Sequence, residues 1–177
     1  VSALTPTAGH REVLSWIAAM YRPESFLEIG VQDGGSLRAV LSAHHPARLT
    51  LCDDWGLAYG GTGRGSHDHV TALLAELAFQ GVVTWLDGRS DERLPELPSE
   101  RYDTVHVDGD HSAPGALYDL VEAGRLLRPG GAIVIHDLQF QPVSRAVRLF
   151  NGMLDVPYRE FSGDTGTGAW LSDEVPW

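Results

Sequence analysis

The sequence predicts a doubly wound α/β fold: a mainly parallel sheet with helices on both faces and an antiparallel strand near the C-terminus. Three observations lead there. Short apolar runs of strand length alternate with longer segments whose apolar residues recur at helical spacing. The intervening segments are long enough for crossover connections between parallel strands. The strand-like runs end in glycine or in clumps of acids, where the strand tips of such sheets face a ligand crevice.

Taken in order, HREVLSWIAAMY (10–21) places Val13, Leu14, Ile17 and Met20 on one helical face, and SFLEIGV (25–31) reads as a buried strand. SLRAVLSAH (36–44) turns Leu37, Val40 and Leu41 inward, with His44 and His45 at its end to favour the helix dipole. RLTLCDDW (48–55) is a strand ending at Asp53 and Asp54. GLAYGGTGRGS (56–66) is too rich in glycine for regular structure and reads as a mobile loop. HDHVTALLAELAFQG (67–81) is a helix with Val70, Leu73, Leu74 and Leu77 inward and Gly81 as its C-terminal cap. VVTWLDG (82–88) and YDTVHVDG (102–109) are strands. PGALYDLVEAGRLLRPGG (114–131) is a helix that Pro129 and Gly130 terminate, AIVIHD (132–137) a strand and VSRAVRLFNGML (143–154) a helix. YREFSGDTGTGAWLSD (158–173) holds a closing hairpin. No linker interrupts this alternation, so residues 1–177 are read as one domain.

Composition narrows the function. The net charge is −11, from 24 acids against 13 Lys and Arg, which argues against sequence-independent binding of nucleic acid. No apolar run reaches the length of a membrane span. The start, VSALTPTAGH, lacks the basic and apolar regions of a signal peptide. One cysteine, Cys52, excludes an internal disulfide and a Cys-based zinc site, and a reducing, cytoplasmic setting is expected.

Chemistry collects at three strand tips. LEIGVQDGGS (27–36) follows a strand and opens a helix, reading E-x-G-x-x-x-G-G-S. It departs from G-x-G-x-x-G and lacks the lysine of a phosphate-gripping loop, so neither a plain dinucleotide site nor a nucleoside triphosphate site is favoured. Asp53 follows Gly30 by 23 residues, near the spacing of acids that accept both ribose hydroxyls of a nucleoside. The remaining tips carry Asp108 with Asp110 and His111, and His136 with Asp137. Such groups are costly to bury unpaired, and tips of adjacent strands lie about 4.8 Å apart, close enough to share one ion.

FLEIGVQDGGSLRAVL, LCDDW, LDGRSDERLPEL, YDTVHVDGDHSAPGALYDLVEAGRLLRPGGAIVIHDL and GTGAWL together resemble class I S-adenosylmethionine-dependent methyltransferases. The closest likeness is to the small cation-dependent O-methyltransferase branch, of the macrocin O-methyltransferase and cephalosporin-hydroxylase-like type. The resemblance runs from about Thr5 onward and implies one Rossmann-like methyltransferase domain. It implies that Glu28, Gly30, Gly34 and Ser36 surround the methionine part of S-adenosylmethionine, that Asp53 holds the ribose, and that Ser90, with Asp87 nearby, flanks the adenine. Asp108 would face the sulfonium and hold a divalent metal together with Asp137 and His136. His136 stands where the branch has a second acid, so magnesium competes with Mn, Fe and Zn as the expected ion. Alternatively, His136 hydrogen-bonds a group behind the ligands. His111 takes the place of a general base, which histidine can be near neutral pH.

The bland readings stand beside these. Asp110 or Ser112 can cap the helix that Pro114 begins. His67 and His69 read as helix-start or lid residues, and His106 as a core histidine with a hydrogen-bond partner. Trp55, Tyr59 and Trp85 line a pocket or simply fill core. The expected partner is a small hydroxylated acceptor, a natural-product sugar or a phenol, acting on a chain that is monomeric or a homo-oligomer. The alternatives are a non-catalytic cofactor-binding protein and a metal-dependent oxygenase in which His106, Asp108 and His136 hold iron.

Overall fold

The computed structural model describes residues 3–56, 65–153 and 156–171. Tyr59 and most of the predicted glycine loop lie outside the described residues. The first helix, α1 (His10–Tyr21), buries Val13, Leu14, Ile17 and Ala18. It stops where Arg22 turns left-handed before Pro23, and the Arg22 N–H still bonds Ala18 O. β1 (Ser25–Ile29) is buried along its whole length, as a central strand covered on both faces must be. Then follow α2 (Gly35–Ala43), β2 (Arg48–Asp53), α3 (His67–Glu76) and β3 (Val82–Asp87). The short α4 (Ser90–Arg93) runs into a 3₁₀ turn, Leu94–Glu96, and both were unexpected from the sequence. β4 (Tyr102–Val107), α5 (Ala113–Leu126), β5 (Leu127–Ile135), α6 (Gln141–Phe150), β6 (Tyr158–Phe161) and β7 (Thr167–Leu171) complete the order.

Seven strands form one sheet in the order β3-β2-β1-β4-β5-β7-β6. The β1–β2, β1–β4, β2–β3 and β4–β5 pairs are parallel, and β7 runs antiparallel to both β5 and β6. The doubly wound expectation therefore holds, including the late antiparallel strand. Helices α1, α2 and α3 cover one face against Phe26, Leu49, Leu51 and Val134. Helices α5 and α6 cover the other against Leu27, Ile29, Val105 and Ile133. The chain reverses direction across the sheet between β1 and β4, and crevices open at such a switch point. Among the described residues no helix is long and apolar enough to cross a membrane.

Two boundaries differ from expectation. α3 ends at Glu76, not Gly81. The Ala78 N–H bonds Ala75 O and the Phe79 N–H bonds Leu74 O, closing a Schellman motif with Ala78 in the left-handed position at φ 52°. Gly81 instead lets the chain pass close to Ala47 O and the Phe79 ring before β3. The RPGG segment does not lie in a helix. α5 stops at Leu126, and residues 127–131 enter β5 through a register shift opposite Tyr102 and Thr104.

α5 also carries a buried acid, Asp119, with no exposure and neither oxygen in hydrogen-bond geometry with a donor. Burial pushes its carboxyl up from 3.8 to about 6, partly offset by Ser90 and the Asp110 N–H nearby and reinforced by Asp110 and Asp91. The folded protein thus holds this proton more tightly than the unfolded chain. The contribution to stability is complete below about pH 4 and is lost as pH rises through about 6. Asp119→Asn should remove that slope and stabilise the fold above pH 7 by up to about 3 kcal/mol. Urea unfolding at pH 5 and pH 8 checks this; parallel behaviour of the two proteins would contradict it.

Candidate active site and metal centre

The strand tips surround a cavity of about 770 Å³. Gly30 and Asp53 line one side, Gly88 to Asp91 another, and Asp108 to Ser112 with His136 and Asp137 a third. Of the residues assigned from sequence to the cofactor, Gly30, Ser36, Asp53, Ser90 and Asp108 line this space, whereas Glu28 and Gly34 do not. Glu28 is fully buried behind the wall, where its Oε1 accepts a bond from Ser36 Oγ. Gly34 is the left-handed residue before α2, packed against Leu73.

Asp53 is held by its own surroundings. Its Oδ2 accepts the Val31 and Gln32 N–H groups at 2.7 and 2.8 Å, and its Oδ1 accepts the Trp55 N–H at 2.6 Å. A carboxylate has about four acceptor positions, so at least one remains for a ligand hydroxyl. Asp87 does not face the cavity freely, because its Oδ1 accepts the Trp55 indole N–H at 2.8 Å and so fixes a cavity-lining ring. Trp85 packs at a tilt against His67, ring centroids 3.8 Å apart, rather than lining the space. His67 opens α3 beneath the cap made by Ser66 Oγ, which accepts the His69 N–H. His44 is tied to Pro23 O through Nε2 at 3.1 Å.

The third side carries the acid and histidine cluster. β4 ends at Val107, and Asp108 follows with its N–H on Ile29 O. β5 ends at Ile135, and Asp137 takes a left-handed φ of 61°, a conformation Asp tolerates and one that turns the chain at the tip. His111 Nε2 sits 3.2 Å from Asp137 Oδ2 and 3.7 Å from Asp108 Oδ1. Ligand-capable atoms of Asp108, His111 and Asp137 lie within 4.8 Å of one another. His136 lines the same wall. Its Nδ1 is 3.2 Å from Asp108 Oδ2 and its Nε2 is 2.6 Å from Thr165 Oγ1, so both ring nitrogens are engaged and it stands beside the convergent group as an orienting partner. Asp110 and Ser112 make the predicted capping turn: Asp110 Oδ1 accepts the Ser112 N–H and Ser112 Oγ accepts the Gly115 N–H.

Protonation follows these contacts. Burial pushes Asp108 upward, but the neighbouring His111 imidazole and the hydrogen-bonded His136 outweigh it and keep the carboxyl well below the ordinary range. The bond to Asp108 raises His111 against its partial burial. His136 is lowered by burial, yet Asp108 more than compensates and its net shift is upward. Behind them sits a residue the sequence reading missed. His10, at the start of α1, stacks on His136 with ring centroids 3.8 Å apart, and burial beside His106 and His136 drives its imidazole down to about 2, so it is neutral. His106 is the expected core histidine with partners, 3.0 Å from Glu28 Oε1 and 2.8 Å from His10 Nε2. Thr165, from the turn before β7, also escaped notice.

The fold and this tip geometry define a class. Residues 27–138 match the family model described as a methyltransferase domain, and the chain belongs to that family. A protein of Mycobacterium sp. (strain JLS) that carries the name of an O-methyltransferase is 49% identical over 137 residues, 76% of this chain and 56% of its own length. The chain thus spans about half of that relative. Among solved structures, the O-methyltransferase TomG from Streptomyces achromogenes, in complex with SAM, superposes with a TM-score of 0.69 at 22% identity, covering 97% of this chain and 82% of that one. An O-methyltransferase from Bacillus cereus in complex with SAH gives 0.67 at 16% identity, over 96% and 83% of the two chains. At such identities these two likenesses establish the fold.

Proposed function

We propose that the chain is an S-adenosylmethionine-dependent, divalent-metal-assisted O-methyltransferase acting on a hydroxyl of a small molecule, a natural-product sugar or a phenol. The observation that carries this reading is the convergence of Asp108, His111 and Asp137 on the wall of the cavity that also presents Gly30, Asp53 and Ser90. The relatives bearing O-methyltransferase names support the same direction.

The residues fit both groups. A cavity of about 770 Å³ lies within the range of small-molecule sites. Asp53, Asp54, Asp108 and Asp137 make its wall acidic, which suits a sulfonium cation. Two carboxylates and one imidazole form a mixed oxygen and nitrogen set, acceptable to Mg, Mn, Fe or Zn. A divalent ion held by Asp108, His111 and Asp137 would lower the pKa of a bound hydroxyl. The chain supplies the rest. Asp108 holds negative charge at the wall, fixed from two sides by His111 and His136. Thr165 fixes His136 in turn. Phe140 stacks over His111 at 5.4 Å and shields one side from water. His111 Nε2 faces the Asp108 and Asp137 carboxylates, which raise its pKa above the ordinary histidine value and place it where it can exchange a proton or, once deprotonated, ligate the ion.

Calorimetric titration with S-adenosylmethionine and its demethylated product, with and without Mg²⁺, Mn²⁺ or Zn²⁺, should give dissociation constants of about 1–100 μM. Heat-silent titrations under every condition, backed by equilibrium dialysis without retention, would remove the proposal.

A further inference from the structure

The pleat of β1 and β4 builds a second cluster on the α1 face of the sheet, which has Asp108 in common with the proposed methyl-transfer site. Glu28 and His106 are register partners across these strands, and both are fully buried. Asp108 follows His106 by two positions and so leans to the same face. His10, at the first turn of α1, meets them from above. Ligand-capable atoms of His10, His106 and Asp108 lie within 4.8 Å of one another.

We infer that His10 Nε2, His106 Nε2 and the Asp108 carboxylate form a second cation site, suited to a nitrogen-preferring divalent transition ion of the zinc class, with Asp108 shared between the two sites. The inference is independent of methyl transfer. Glu28 Oε1 lies 3.0 Å from His106 Nδ1, the carboxylate–histidine pairing found behind metal-ligating rings, which leaves Nε2 for a ligand on the far side. His106 Nε2 lies 2.8 Å from His10 Nε2. Two imidazole nitrogens bound to one ion at about 2.0–2.1 Å stand roughly 2.9–3.4 Å apart, so a separation of a few tenths of an ångström would admit it. Two imidazoles disfavour magnesium, which prefers oxygen.

Glu28 Oε2 is buried without a partner among the described residues, and burial raises the Glu28 carboxyl above its ordinary range, so Asp108 supplies the negative charge of this cluster. An adjoining cavity of about 360 Å³, which shares Ser36, Asp108, His136 and Thr165 with the large one, reaches His10 and Asp108, while His106 lies buried behind them. A direct hydrogen bond between the two rings would explain the same 2.8 Å distance without an ion, and the experiment separates the two cases.

The test uses His111→Ala/Asp137→Ala protein, in which the first group is dismantled and the second is intact. After dialysis against Zn²⁺ it should retain about one zinc per chain, and X-ray absorption should fit two imidazole nitrogens in the zinc coordination shell. Adding Glu28→Gln should weaken zinc binding about 10–100-fold, and adding His10→Ala should weaken it by more than about 100-fold. Absence of retained zinc, or zinc without an imidazole pair, overturns the site and leaves a hydrogen-bonded histidine pair. The absorption measurement needs no substitution at His10 or Glu28, so it decides the matter even if those variants fail to fold.

Discussion

Asp108→Asn is expected to slow methyl transfer by about 10³-fold while leaving the far-ultraviolet circular dichroism spectrum unchanged. The substitution keeps the shape of the side chain and removes its charge. Asp108 is the residue on which the site is centred. Its carboxylate lines both cavities and faces His111 through one oxygen and His136 through the other. Burial alone would neutralise it, and the two imidazoles keep it ionised instead. An amide at this position cannot balance a sulfonium, holds a cation poorly, and turns an acceptor toward His111 into a donor or a weaker acceptor. The loss should appear in kcat as well as in cofactor affinity, measured by quantifying the demethylated cofactor. A rate within tenfold of the parent protein would remove Asp108 from the chemistry.

Gly30→Ala should have the largest effect on stability. Gly30 sits at φ 84°, and its N–H continues the β1–β2 ladder by bonding Cys52 O at 2.9 Å. A Cβ there would fall far inside van der Waals distance of the Asp108 carbonyl, with the Gly109 nitrogen at 2.8 Å. Those atoms are backbone and cannot swing away. A left-handed alanine costs about 1–2 kcal/mol, and forced overpacking adds about 1–3 kcal/mol, for a total of about 2–5 kcal/mol. Gly130→Ala is the internal control. Its φ is 80°, but nothing lies within 4 Å of the added carbon, so only the backbone cost of about 1–2 kcal/mol applies. Denaturant midpoints of the two variants compare them directly, and equal losses would contradict the crowding argument.

Much of this architecture can be read in the residues. The strands announce themselves because β1, β4 and the second half of β5 are buried on both faces and so carry closely spaced apolar residues such as Phe26, Leu27, Ile29, Val105, Val107 and 132–135. The acid clumps at their tips had to lie together once the sheet was parallel. Contacts that depend on tertiary placement were less visible. His10 occurs in a segment whose only periodic signal is an amphipathic helix, and its role arises from where α1 crosses β1 and β4. A usable hint existed: Glu28, His106, Asp108 and His136 fall on the same side of the pleat, so the face above them needed polar company. The approach of His111 to Asp137 and of His136 to Thr165 was hidden because it depends on the left-handed turn at Asp137 and on a residue that lies far along the chain. The end of α3 was misplaced because Ala78 occupies a position that glycine usually takes.

The turn between β6 and β7 has a consequence for how the protein comes into being. Asp164 Oδ2 accepts the His10 N–H across a separation of 154 positions, and Thr165 engages His136 from the same turn. A nascent chain leaving the ribosome can pair its parallel strands early, but this clasp cannot close until the late hairpin emerges. This corner should therefore mature last, and a polypeptide released before residue 165 should keep the five-strand parallel pairing while lacking β7, a partner for β6 and the closed pocket wall.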